Sequence, residues 1–379
     1  MGRSRTSDVL IAGGGIIGLS IGMELLSHGL SVTVLERGEA MRAASWAAGG
    51  MLAAHDPENP PALLPLSIHS LEHYPAYLER ITAASGQPVP LRTQWTLQQV
   101  RSTSADLDLI AGDAAWEEVR QWIPGFTFGD LGHPIIRLEE QSLNPRDLCR
   151  ALPEAFVAEG GTLREKTTVL DVETSAAGVV VRTATERISA GIFVNCCGAW
   201  SGAPQLGGLP VEPVKGQMAT VALASERLRC VLRTPEFYAI PRGDGHVTIG
   251  ATIEHVGFDE SVEEHRIERL LRAAASLVPE IDRAARLEIW AGLRPGTPDG
   301  LPVLGAAAME HCWHATGHYR DGILLAPGTA RLMTQAILGE PLDVPLDDFA
   351  PYRFRAVKSM PQERIAPVSA CCVDANAAE

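Results

Sequence analysis

The stretch Asp8-Val9-Leu10-Ile11-Ala12-Gly13-Gly14-Gly15-Ile16-Ile17-Gly18, followed at position 36 by a glutamate, decides how this chain folds. It reads as a buried strand, a glycine turn and an amphipathic helix. A second strand, Val32-Thr33-Val34-Leu35, then ends in the acid. Gly13 allows the tight turn, Gly15 lets the backbone approach a pyrophosphate, and Gly18 lets the helix pack on the strand. The helix, opened by Ile16 and Ile17, presents free N–H groups and a partial positive charge to the phosphates. His28-Gly29 is the stop signal. Glu36 suits a ribose diol and repels a 2′-phosphate, which disfavours NADP. NAD and FAD both fit the turn.

Composition narrows the class. The chain has 379 residues, enough for two domains, and is 46% hydrophobic and 21% charged, as a globular protein with a real core should be. A net charge of −14 disfavours nucleic acid and anionic membrane surfaces as partners. Seven cysteines, an odd number without a C-x-x-C pair, point to free thiols in a reducing, cytoplasmic setting. The N-terminal residues lack a secretory h-region, and the match of Met1-Gly2 and Thr6 to a myristoylation pattern is read as chance. No apolar run reaches the length of a membrane span.

Outward from the turn, residues 60–85 have helical apolar spacing, and Trp95-Thr96-Leu97 is a short strand. Asn144 should cap a helix with Pro145 at its first position, kinked at Pro153 and ended by Gly160-Gly161. Val169–Glu173 and Val179–Arg182 read as strands. Ile192–Cys196 reads as a strand returning to the parallel sheet, with Gly198 at its crevice end. Phe237–Pro241 and His246–Ile253 flank Gly243-Asp244-Gly245 as a hairpin. Ser261 to Glu264 is a candidate capping box for a helix bearing Ile267, Leu270, Leu271 and Ala274. The expected fold is α/β: a Rossmann-like FAD-binding domain with a central parallel sheet, and an interleaved α+β substrate domain whose sheet is mostly antiparallel. The expected division is 1–85 with 141–210 and 290–358 for the first, 86–140 with 211–289 for the second, and a flexible tail over 359–379. An NAD dehydrogenase usually keeps its dinucleotide unit contiguous, so this interleaving favours a flavoprotein.

Three further segments carry chemistry. Ser45-Trp46-Ala47-Ala48-Gly49-Gly50-Met51 is small enough for backbone N–H groups to approach a planar ring or its phosphates. Gly292-Leu293-Arg294-Pro295 and Gly317-His318-Tyr319-Arg320-Asp321-Gly322 lie near the C-terminal end. With the N-terminal turn, these motifs resemble the D-amino-acid-oxidase-like flavoenzymes, and within them the bacterial glycine oxidases of the thiamine-thiazole pathway. The resemblance runs from residue 8 to about residue 350 and implies a non-covalent FAD. Ile16, Ile17, Glu36 and Arg37 would lie along its ADP half. Gly49, Gly50 and Met51 would approach the flavin, with Val169 on the adenine side. His318, Tyr319, Arg320, Asp321, Gly322, Ile323 and Leu324 would wrap the ring. Arg294 would bind the substrate carboxylate, assisted by Tyr238, Arg320 and Met51. The implied reaction is hydride transfer from glycine to flavin N5. O2 then takes the electrons, and an imine, glyoxylate, ammonia and hydrogen peroxide result, with a possible hand-off to thiazole synthase. Positioning supplies the catalysis, so no acid or base is nominated.

The physics supports Arg294. A small zwitterion has almost no apolar surface to bury, so its carboxylate must anchor it, and arginine offers a planar bidentate fork. The alternative for Arg294 is a structural ion pair. Alternatives for the chain are an oxidase of N-substituted glycines or other D-amino acids, and a dinucleotide-binding protein without turnover. Homo-oligomeric assembly is expected. His311, His314 and His318 lack the carboxylate or cysteine pattern of a metal site, so no metal is expected. Cys312, Cys196 and Cys197 are read as core. One position departs from the family: Arg233 stands where some glycine oxidases place a second active-site tyrosine, either as an extra cation at the mouth or as a surface residue.

Overall fold

The computed structural model describes residues 7–100, 134–224 and 228–354. In chain order the first elements are β1 (Ser7–Ala12), α1 (Ile16–Ser27), β2 (Val32–Leu35), α2 (Ala44–Ala47) and α3 (Leu64–Ser85). Next come β3 (Trp95–Gln99), β4 (Ile135–Glu139), α4 (Pro145–Ala158), β5 (Thr162–Arg164), β6 (Asp171–Ser175), β7 (Gly178–Arg182) and β8 (Arg187–Asn195). Then follow β9 (Glu212–Ala222), β10 (Val231–Arg233), β11 (Tyr238–Pro241), β12 (His246–Gly250) and α5 (Glu264–Leu277). The last are β13 (Ala285–Gly296), β14 (Val303–Ala306), β15 (Cys312–Thr316) and α6 (Gly322–Leu338).

Two sheets organise these elements. The first has the order β14-β15-β8-β1-β2-β5, with β7 and β6 added beside β8. Its centre is parallel: β1 pairs with β2 and β8, β8 with β15, and β2 with β5. Such a sheet must be covered on both faces, which is why β1 is apolar at every position from Val9 to Ala12. Val9 and Ile11 join the core formed with α1, α3, α4 and α6, whereas Leu10 and Ala12 point into the opposite cluster around Phe193 and Val181. Helix α1 is consequently buried over most of its circumference, rather than amphipathic as its sequence suggests. At Gly22 an added Cβ would lie 2.7 Å from the Phe156 ring of α4.

The second sheet runs β13-β9-β12-β11-β10-β3-β4 and is antiparallel except for the β10–β3 pair. Helix α5 covers it by burying Ile267, Leu270, Ala274 and Leu277, the isoleucine and the leucines each contributing about 1.5–3 kcal/mol. This is the α/β plus antiparallel-sheet architecture expected. Several local expectations need adjusting. Strand β13 runs through residue 290, so the boundary expected there cuts a continuous strand of the second sheet. The capping box at Ser261 does not form: α5 starts at Glu264, the Ser261 hydroxyl donates to Asp259, and the Glu263 N–H donates to Gln217. Asn144 does cap α4, accepting from the Arg146 N–H at 3.2 Å, and the helix continues through Pro153 to Ala158. Residues 101–133, the tail over 359–379 and Cys371-Cys372 lie outside the described residues.

Candidate active site

The glycine turn places its atoms as the motif requires. Gly13 has φ +108°, and a Cβ there would meet the Cys196 carbonyl at 2.3 Å; a Cβ on Gly18 would meet the Gly13 carbonyl at 2.0 Å. These two glycines are therefore demanded by packing. Gly15 differs, because the nearest atom to its added Cβ is the Ser45 hydroxyl at 3.4 Å, and it lines an open cleft. That cleft has a volume of about 650 Å³. Ser45 accepts from the Ile16 N–H at 3.0 Å, which puts its hydroxyl at the start of α1, where a phosphate oxygen is favoured. The Glu36 carboxylate accepts from the Gly14 and Gly38 N–H groups, both at 2.8 Å, and keeps lone pairs for ribose hydroxyls.

Gly13, Gly15, Ile16, Ile17, Glu36, Arg37, Ser45, Val169, Gly198, His318, Tyr319, Arg320, Gly322 and Ile323 all line this cleft. Ala47, Gly49, Gly50, Met51 and Asp321 line instead a smaller cavity of about 250 Å³. The two spaces share Ala44, Ala48, Leu293, Tyr319, Arg320 and Ile323 as a common wall. Three expected contacts face neither. Gly18 packs on the turn; Trp46 sits under the Arg42 and Arg146 guanidiniums; and Leu324 is buried in α6, where its carbonyl accepts from Ser70. A mostly apolar cleft with one oriented acid and a helix start at its mouth fits a flavin dinucleotide.

The smaller cavity gathers Arg294, Tyr238, Arg320 and Met51. Arg294, near the end of β13, lies with its guanidinium against Gly216 of β9, where an added Cβ would meet it at 2.3 Å. It donates to the Thr252 carbonyl at 3.1 Å, and among the described residues no carboxylate lies within ion-pair reach of it. The Tyr238 ring fills the space over Gly250, where a Cβ would lie 2.4 Å away, and its hydroxyl is 3.5 Å from the Met218 sulfur. Gly216 and Gly250 make room for Arg294 and Tyr238, which the sequence does not signal, since a strand glycine has no local signature of the side chain lying over it. Arg320 is more tethered than expected: it donates to Asn59 at 3.1 Å and lies 3.8 Å from both Asp56 and Glu58.

Arg233 requires a correction. It is neither a surface residue nor a free cation. It is buried on the cavity wall, paired with Asp56 at 2.6 Å and with Glu140. Gln98 donates to the other Asp56 oxygen at 2.9 Å. Burial works to raise the Asp56 carboxyl, but the Arg233 charge and the Gln98 bond outweigh it and leave Asp56 below its usual value. Glu140 stays above its usual value, since burial there outweighs Arg233. Beside them, withdrawal from water pushes Asp321 up to about 6, against the pull of Arg320 and with help from the Asp56 charge.

His314 faces Asn195 at 3.4 Å, His318 is 3.1 Å from the Thr329 hydroxyl, and among the described residues no cluster of three metal-ligating side chains occurs. Cys312 and Cys196 are buried as expected, but Cys197 is only partly buried and lines the dinucleotide cleft. Burial pushes its thiol up to about 12, and its Sγ lies 3.4 Å from the Ala12 carbonyl. No helix among the described residues is long and apolar enough to cross a membrane.

A dinucleotide cleft sharing a wall with a small arginine-bearing cavity defines a flavin-linked oxidoreductase. The chain belongs to the FAD-dependent oxidoreductase family, whose model matches residues 8–336. FAD is its cofactor. The chain is 35% identical to the glycine oxidase of Pseudomonas putida over 369 residues, covering 92% of this chain and 98% of that protein. It is also 35% identical to the bifunctional protein ThiO/ThiG of Synechocystis, matching 96% of this chain but 57% of that longer protein. Among solved structures, glycine oxidase from Geobacillus kaustophilus superposes with a TM-score of 0.85 at 29% identity, covering 92% of this chain and 99% of that one.

Proposed function

We propose that the chain is an FAD-dependent amino-acid oxidase acting on glycine, and on sarcosine and small D-amino acids as secondary substrates. The balanced reaction is glycine, O2 and water to glyoxylate, ammonia and hydrogen peroxide. The observation that carries this reading is Arg294, a guanidinium with no carboxylate partner among the described residues, opening into a small cavity that shares a wall with the cofactor cleft. Similarity to a glycine oxidase over 92% of this chain and to a ThiO/ThiG protein over 96% of it supports it.

FAD, when bound, supplies the two-electron acceptor that amino-acid side chains lack. Gly13, Gly15, Ile16, Ser45, Glu36 and Arg37 would hold its ADP half, and the 318–323 segment its ring, without a covalent bond. The high thiol value of Cys197 fits that, since a protonated thiol is a poor nucleophile. Arg294 receives the substrate carboxylate through its fork, replacing water with two charge-assisted hydrogen bonds. Tyr238, its ring confined over Gly250, donates to the same carboxylate. With one end anchored, the narrow space walled by Gly49, Gly50 and Met51 leaves room for a methylene and an amine. Orientation of this kind supplies the rate, and no side chain need act as base.

The partners are a small amino acid and O2. The ThiO/ThiG relative supports a finer reading, in which the imine passes to a thiazole synthase. Five free cysteines among the described residues fit a reducing, cytoplasmic compartment, and the expected homo-oligomer is checked by sedimentation. One experiment tests the core of the proposal: purified yellow protein is mixed anaerobically with glycine. Bleaching of the flavin band, restored by air with release of peroxide, supports it. A flavin band that glycine leaves unchanged would overturn it.

A further inference from the structure

The connection between β12 and α5 leaves the second sheet and reaches the cofactor-binding side of the molecule. Its chemistry is unusual for a surface loop. Phe258, 54% exposed, stacks on Trp200 with ring centroids 5.3 Å apart and planes 24° apart. On the same indole sits the Arg37 guanidinium, 3.4 Å from the ring centroid. Arg37 adjoins Glu36, the acid placed for the ribose, and all three stacked side chains line the cofactor cleft. A row of cation, indole and phenyl therefore spans from the dinucleotide turn to a loop of the other sheet.

The loop is anchored where it leaves the stack. Asp259, next to Phe258, accepts from the Lys215 ammonium at 2.7 Å, and that lysine side chain is fully buried. Ser261 donates to the same carboxylate at 2.9 Å, and two residues further on the Glu263 N–H donates to Gln217 at 2.7 Å. A buried ammonium is costly without its counter-ion. Lys215 thus holds Asp259 in place, and with it the adjoining Phe258. Phe258 is half exposed and stacked on Trp200 at the cleft wall, so it presents an apolar ring face to whatever occupies that cleft.

We propose that residues 251–262 form a strap over the adenosine half of FAD, in which Phe258 and Trp200 retain the cofactor and the Lys215–Asp259 pair holds the strap down. The inference rests on the chain being an FAD enzyme, not on which amino acid it oxidises. Holoenzyme is diluted into buffer containing an FAD-trapping apoflavoprotein, and the loss of the protein-bound flavin band is timed. F258A should release FAD roughly tenfold faster than the parent, as expected for loss of a stacked aromatic, and F258Y should release it at the parental rate. D259N should also accelerate release; because it strands a buried ammonium, its circular dichroism is recorded alongside, and F258A carries the test if that variant does not fold. Parental release by F258A, or equal acceleration by F258A and F258Y, would overturn the proposal. Glycine turnover does not enter the measurement, so failure of the strap and failure of the glycine reading are distinguishable.

Discussion

Gly216 of β9 lies flat beneath the guanidinium of Arg294 on the neighbouring strand, so close that a Cβ at 216 would sit 2.3 Å from it. The β13–β9 register sets this contact by pairing Gly292 with Gly216 and Arg294 with Val214. Gly216→Ala should therefore displace the arginine without touching the cofactor cleft. The expected outcome is a yellow protein with kcat/KM for glycine lowered about 100-fold, the scale of a misplaced anchor. Steady-state kinetics on the flavin-loaded variant check it.

Removing the anchor itself should cost more. Arg294→Ala is expected to keep its flavin and lose about 3 kcal/mol or more of transition-state stabilisation, read from kcat/KM, because the carboxylate loses its charged partner in a confined site. Activity at the parental level would place the carboxylate elsewhere.

Two of the turn glycines should separate by phenotype. Gly15→Val meets only the Ser45 hydroxyl at its first carbon, so the variant should fold and emerge colourless, its larger side chain standing where the pyrophosphate belongs. Gly18→Val collides with the Gly13 backbone and should fail to accumulate as folded protein. The absorbance and circular dichroism of purified Gly15→Val, and the yield of soluble Gly18→Val, distinguish the outcomes.

Arg233 is held between Asp56 and Glu140 on the cavity wall. Asp56→Ala should destabilise the protein by about 3–5 kcal/mol, since it strands part of a buried charge. Asp56→Asn, which keeps an acceptor, should cost less. Urea unfolding of both variants measures the difference, and equal midpoints for the parent and the alanine variant would mean that the pair contributes nothing net.

Acid should weaken the fold through two histidines. Burial pulls His314 down to about 4 and His318 down to about 3. Both folded values lie below the ordinary 6.5, so the unfolded chain takes up these protons first. Their contribution is complete above about pH 6.5 and is lost as the pH falls towards 4 and 3. Asp321, raised to about 6, acts in the opposite sense and regains stability as the pH falls from about 6 towards 4. Together the three groups predict a net loss of about 3 kcal/mol between pH 7 and 4.5, readable from urea midpoints at the two pH values.

The first strand, the glycine turn, Glu36 and the apolar spacing of α3 and α5 were legible because each is a local pattern: an apolar run or a periodicity whose meaning does not depend on distant residues. By itself the sequence determined an α/β dinucleotide unit, an interleaved second sheet and, through four separated motifs, a resemblance that singled out Arg294 and Tyr238. Only the tertiary structure decided what surrounds them. Asp56, Glu140 and Gln98 meet Arg233 from separate segments, Gly216 reaches Arg294 through strand register, and Phe258 reaches Trp200 from the other sheet. Charge compensation and close packing depend on which segments become neighbours in space, and that pairing is set by the whole core rather than by any one stretch of sequence.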